Sequence, residues 1–137
     1  MNTFQDYYQA NISPKLKEID LFFKTKEQPE KDIPFNVVSE LLDIKEGEVR
    51  KISSKYNLDY INKANFFIIM REGSSEICKL FNRQLSCGLS SSFTPKDISY
   101  IYQIPIDIIK KAMIESEIHN ITPKNLDTLF SYIYINF

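Results

Sequence analysis

Two cysteines, one histidine and three glycines leave this 137-residue chain little for soft-metal ligation, for imidazole or thiol catalysis and for a glycine-rich phosphate cradle. Cys78, Cys87 and His119 are three ligands at most, one short of the four that close a structural zinc site. No metal and no other cofactor is expected. A disulfide is not expected in a reducing cytoplasm either. Cys78, inside "SSEICKLF", reads as a small buried hydrophobe, and Cys87 as an exposed helix end. Glycine-rich phosphate loops, H-E-x-x-H, G-x-S-x-G and dense carboxylate clusters are all missing. His119 is the one side chain whose ordinary pKa lies near neutrality, and it sits in "IESEIHNITP", where a loop histidine is ordinary. The chain is not expected to be an enzyme.

Long apolar runs are missing as well. No stretch approaches the roughly 18 residues that span a bilayer, so no membrane segment is expected. "MNTFQDYYQANIS" has no basic residue and no apolar core, unlike a secretory signal, which points to a cytoplasmic protein. Neither sign of charge dominates: 17 basic against 18 acidic residues leave a formal net of −1. Many nucleic-acid binders are strongly basic, and this chain is not. Residues 64–96 are the one positive stretch, with Arg71, Lys79 and Arg83 as candidate phosphate contacts.

What the chain does have is 43% hydrophobic residues, enough for a core. In "LLDIKEGEVRKISSKYNL", Leu41–Leu58, one helical pattern stops at Asp43 and another restarts near Glu46. Taking Phe35 as the first residue of a twenty-residue unit, the positions where two packed helices need apolar side chains fall on Val38, Leu42, Ile44, Val49 and Ile52. The fifth position, where the helices cross closely, is Ser39. The ninth, which usually takes a left-handed backbone, is Asp43, one of the few non-glycine residues that tolerate it. This pattern resembles the helix-turn-helix of bacterial DNA-binding regulators over about twenty residues, without pointing to a particular family.

Shifting the sequence by sixty residues lays this region over a second copy. Val38 falls on Ile98, Ile44 on Ile104, Val49 on Ile109, Ile61 on Ile121 and Phe66 on Leu126. Ser39 meets Ser99, and Asn65 meets Asn125. The expected fold is therefore all-α, two tandem helix-turn-helix-like units related by an internal repeat. Residues 1–73 form the first, with its motif near 35–55, and 74–137 the second, with its motif near 95–115.

The remaining signals fill in helices. Ser13 reads as an N-cap with Pro14 at the first helical position, and "QPEKDIP" as a breaker. Helices are expected over about 59–72 and 75–86, the latter opening the second unit. "SCGLSSSFTPKD" reads as the linker, with Thr94-Pro95 as a fresh start, and Thr122-Pro123 repeats that device. The tail "SYIYINF" reads as a helix end.

The resemblance implies that the second motif helix enters a DNA major groove. Helical spacing then turns Glu46, Gly47, Arg50, Lys51 and Ser54 outward, with Lys45 in the turn and Lys55 further along. Arginine can read guanine through two bonds, and lysine can hold phosphate. At the equivalent places the second copy carries Ile106, Ile108, Lys110 and Ile114, a face better suited to protein than to DNA. Two readings stand. One is a sequence-specific regulator of transcription or of a plasmid or phage, binding double-stranded DNA as a dimer. The other is a helical protein-interaction module, such as an antirepressor or adaptor, that keeps the shape without binding DNA.

Overall fold

A run of short apolar-periodic segments separated by proline, asparagine and left-handed residues gives a helical chain. The structure is a computed structural model and describes residues 3–24, 31–88 and 91–135. Its elements are α1 (Phe4–Tyr7), a π-helical turn (Tyr8–Ile12), α2 (Ser13–Phe23), α3 (Phe35–Leu42), α4 (Glu46–Lys55), α5 (Phe66–Glu72), α6 (Glu76–Ser86), α7 (Pro95–Tyr102), α8 (Ile106–Ser116) and α9 (Leu126–Phe130). The described residues are thus all-α, with β-pairing limited to the isolated bridges Thr3–Tyr134 and Phe93–Ile121. No helix among them is long and apolar enough to cross a membrane.

The chain forms two compact units, a central one (Lys15–Asn82) and a terminal one built from Met1–Pro14 with Arg83–Phe137. In the central unit, Ile19 of α2 joins Val38, Leu41, Leu42, Ile44, Val49, Ile52, Ile61, Phe66, Ile69, Met70, Ile77 and Cys78 in one core. Gly73 lies between α5 and α6, where an added Cβ would fall 2.5 Å from Cys78 Sγ. The missing side chain is what lets the two helices approach. In the terminal unit, Phe4 packs with Ile98, Ile104, Ile109, Ile121, Leu129, Phe130 and Ile133.

The division expected after residue 73 is drawn elsewhere by these contacts. Through Asn82, α6 stays in the central unit because Ile77 and Cys78 enter its core. The first residues join the terminal unit because Phe4, Tyr8 and Ile12 pack onto the other core. Gln5 and Gln9 also donate side-chain hydrogen bonds to the Asp127 carboxylate at 3.0 and 3.1 Å.

Both motif corners are built alike. Asp43 (φ 58°) ends α3 and Gln103 (φ 57°) ends α7, each in the left-handed region. Ile44 and Ile104 plug the corners, 8% and 7% exposed. Ser39 Oγ donates to the Ile44 carbonyl at 2.5 Å, and Ser99 Oγ to the Ile104 carbonyl at 2.6 Å. Small size at the fifth position is therefore half of the requirement. The hydroxyl also satisfies a buried corner carbonyl, which an alanine could not do. A left-handed backbone is costlier for glutamine than for aspartate. Gln103→Gly is accordingly expected to stabilise the terminal unit by about 0.5–1 kcal/mol, and Asp43→Gly to give a smaller gain in the central one. Urea midpoints of the two variants measure this.

Several helix boundaries differ from expectation. Ser13 is not a cap: its backbone is helical (φ −57°, ψ −44°), and its amide donates to the Tyr8 carbonyl in the wide π pattern. Pro14 lacks an N–H and crowds the carbonyl four residues back, and the widened turn before it accommodates both defects. The helix expected over 59–72 begins only at Phe66. Asn62 and Asn65 trade side-chain-to-backbone bonds at 2.8 and 2.9 Å, a local alternative to helix. Asn125 does the same with the Thr122 amide at 2.8 Å, so α9 starts at Leu126 and Thr122 is not its cap. Thr94 does cap α7, in a capping box with Asp97 and with Pro95 in the first turn. The tail does not extend a helix: α9 ends at Phe130 and Tyr134 bridges to Thr3. Gln28–Glu30 of the expected breaker, Leu89 and Ser90 of the linker, and Asn136 and Phe137 of the tail lie outside the described residues.

Candidate nucleic-acid interface

Three local features set the direction of α4. The corner at Asp43 and Ile44 fixes where it starts, with Lys45 still extended (φ −76°, ψ 150°). Glu46 and Glu48 in its first turn and Lys55 in its last suit the helix dipole. Val49, Ile52 and Ser53 face the core at 0, 7 and 4% exposure. The far side is left to solvent: Glu46, Gly47, Arg50, Lys51 and Ser54 are exposed on α4, as are Lys45 in the turn before it and Lys55 at its end.

This surface is not uniformly positive. Arg50 Nη2 lies 3.9 Å from Glu46, and its guanidinium carbon stands 5.2 Å from the centroid of the Phe35 ring. Beside them an open depression of about 330 Å³ is lined by Asp32, Phe35, Glu46, Arg50, Asp59 and Tyr60, among others. At the other end of α4, Lys55 Nζ and the Arg71 guanidinium stand 5.4 and 5.6 Å from the Tyr56 ring centroid, and Lys55 is 3.8 Å from Glu72. Glu48 is turned aside, accepting from the Ser74 amide and hydroxyl at 2.8 and 2.6 Å. Gly47 answers no packing demand, since an added Cβ there would meet nothing within 4 Å.

Of the three further basic residues, Arg71 joins this surface through the Tyr56 ring. Lys79 pairs with Glu76 at 3.8 Å. Arg83 belongs to the terminal unit, where Nε donates to the Ile101 carbonyl at 2.8 Å. Tyr56, Glu72 and Ser74 were given no role by the motif, and Phe35 only that of its first residue; Glu72 and Ser74 reach α4 through tertiary contacts.

On α8 the apolar residues stand in part uncovered. Ile114 is 78% exposed and Ile108 41%, while Ile106 is half-buried. Lys110 is exposed, and Lys111 pairs with Glu115 at 3.8 Å. An open depression of about 510 Å³ at the nearby corner is lined by Lys96, Ser99, Tyr100, Gln103, Ile104, Pro105 and Ile106.

Cys78 is buried, and burial pushes its thiol pKa up; Cys87 is half-buried and also unpaired with another cysteine. Burial likewise raises the phenols of Tyr102 and Tyr8, the latter with a further push from the Asp127 charge. His119 is exposed in its loop. Among the described residues no three His, Cys, Asp or Glu side chains gather as a metal site would need. The chain matches no protein-family model, no curated protein and no solved structure.

Proposed function

We propose that this protein is a non-enzymatic, sequence-specific regulator of transcription or of a plasmid or phage, acting in the cytoplasm on double-stranded DNA with α4 as its reader. One observation carries the reading: α4 is held at a serine-locked corner and leaves Glu46, Gly47, Arg50, Lys51 and Ser54 exposed on its outward side, with Lys45 exposed in the turn before it and Lys55 at its end. Those are the positions from which a recognition helix touches base edges and phosphates. Gly47 adds support. Packing does not ask for a glycine there, whereas close approach of a ligand to the backbone would.

The two units read best as a tandem repeat. Sixty residues apart recur the left-handed corner (Asp43, Gln103), the serine-to-plug bond (Ser39, Ser99) and the asparagine turn (Asn65, Asn125). So does the strand-like bond before each motif: Ile33 N donates to Ile61 O at 2.7 Å, and Phe93 N to Ile121 O at 2.8 Å. Use has diverged between the copies. The terminal unit sets Ile106 and Ile114 where α4 has Glu46 and Ser54, and Ile108 in place of Glu48, so α8 suits a protein contact, including one that makes a dimer. A dimer doubles the phosphate contacts of a chain whose net charge is only −1. The exposure of Ile114 and Ile108 is also what favours the second reading, an adaptor or antirepressor that never touches DNA.

Arg50→Ala separates the two. A DNA reader is expected to lose about 1–3 kcal/mol of discrimination at one base pair, read by fluorescence anisotropy on duplexes varied one base at a time. Unchanged binding in an Arg50→Ala, Lys51→Ala double variant would place the DNA contact elsewhere.

A further inference from the structure

We infer that Phe35 is a positioning residue that aims Arg50 at a guanine, which makes α3 part of the specificity device; this deepens, and rests on, the reading of α4 as a DNA reader. Phe35 is the first residue of α3 and is half-buried, packed against the central core. A ring so anchored is a fixed platform. The Arg50 guanidinium sits 5.2 Å from its centroid, a cation–π distance. One helical turn earlier, the Glu46 carboxylate lies 3.9 Å from Nη2. The cation thus stands over a ring, with a carboxylate beside it.

Arginine reads guanine by a rigid two-pronged fork, and its long stem loses rotamer freedom when the fork engages. A stem already narrowed by stacking loses less on binding, and discrimination between bases rises because the fork is held in one plane. Glu46 can accept from cytosine N4 beside that guanine. Neither part of the device exists in the terminal unit: sixty residues on, Phe35, Glu46 and Arg50 become Pro95, Ile106 and Lys110. Lysine is a point charge without the fork, and proline offers no ring face.

The test selects a preferred duplex from a pool with a randomised centre and measures anisotropy on that duplex and on its single-base variants. The full-length chain is compared with Phe35→Leu, Phe35→Tyr, Arg50→Ala and Arg50→Lys, each checked for folding by its melting curve. Arg50→Ala locates the base pair that Arg50 reads. At that pair the wild type is expected to discriminate by about fivefold to 150-fold, the range of one bidentate contact. Phe35→Leu should lose most of this and resemble Arg50→Lys, while Phe35→Tyr keeps it. Discrimination at the other pairs, and the salt slope, should stay as in the wild type. Full discrimination in Phe35→Leu overturns the inference and leaves DNA reading intact. So does a uniform loss at every base pair together with a lower melting temperature, since that marks a merely structural ring. A wild type that binds duplex without preference also overturns the aiming role. A wild type that binds no duplex at all removes the reading of α4 and the inference with it.

Discussion

Phe66→Ala is expected to destabilise the central unit by about 3–5 kcal/mol, and Phe130→Ala the terminal unit by a similar amount. Both rings are fully buried. Phe66 lies within ring distance of Phe22, Phe23 and Phe67, at 6.0, 5.0 and 6.5 Å between centroids. Phe130 is ringed by Phe4, Tyr8 and Tyr102 at 4.6, 5.1 and 5.0 Å. Removing either ring forfeits its transfer energy and leaves a cavity whose aromatic walls cannot collapse onto it. The loss is a large share of the about 5–15 kcal/mol that holds an ordinary domain folded. Urea unfolding monitored by helical circular dichroism measures it. A loss below about 1 kcal/mol, the central tendency for any point mutation, would mean that these rings do not organise the cores. At the sixty-residue offset the two rings do not fall on each other: Phe66 meets Leu126, and Phe130 meets Met70.

The second large effect is electrostatic. Replacing Lys45, Lys51 and Lys55 together by alanine is expected to cut affinity for any duplex by roughly tenfold or more at low salt, and to flatten the salt slope by about 0.9 for each lysine that meets a phosphate. All three are exposed on α4 or its N-terminal turn. The Lys55 pairing with Glu72 at 3.8 Å is no obstacle, because exposed ion pairs of this kind contribute little. Base preference should survive, since phosphate contacts position the protein without reading sequence. Loss of preference without a change in slope would exchange the roles given to the lysines and to Arg50.

The corner geometry was legible in the sequence because its causes are local. Asp43, Ile44 and Ser39 lie within six positions of one another, and each is restricted by its own backbone or by the adjacent helix. Thr94-Pro95 was legible for the same reason. The unit boundary was not. Cys78 and Ile77 choose their core through contacts with residues some thirty positions earlier, and Phe4 packs against Phe130 from the far end of the chain. Pro14 misled because the usual meaning of Ser-Pro is a helix start, and here a π turn absorbs the proline instead. Asn62 and Asn65 delayed α5 by bonds that a hydrophobic pattern does not display. On the candidate site, helical spacing was enough to turn Glu46, Gly47, Arg50, Lys51 and Ser54 of α4 outward. It carried no information on Phe35, fifteen positions from Arg50, or on the Glu48–Ser74 bonds that take one acid away from the face.

The most direct measurement is a binding titration of the full-length protein against a selected duplex across a series of salt concentrations. A recognition helix that neutralises phosphates gives saturable binding whose log affinity falls linearly and steeply with log salt, at about 0.9 per phosphate contacted, together with a base preference that Arg50→Ala removes at one pair. Absence of saturable binding at low salt, or an affinity indifferent to salt, would contradict DNA binding by α4 and leave the exposed isoleucines of α8 as the better guide to what this protein does.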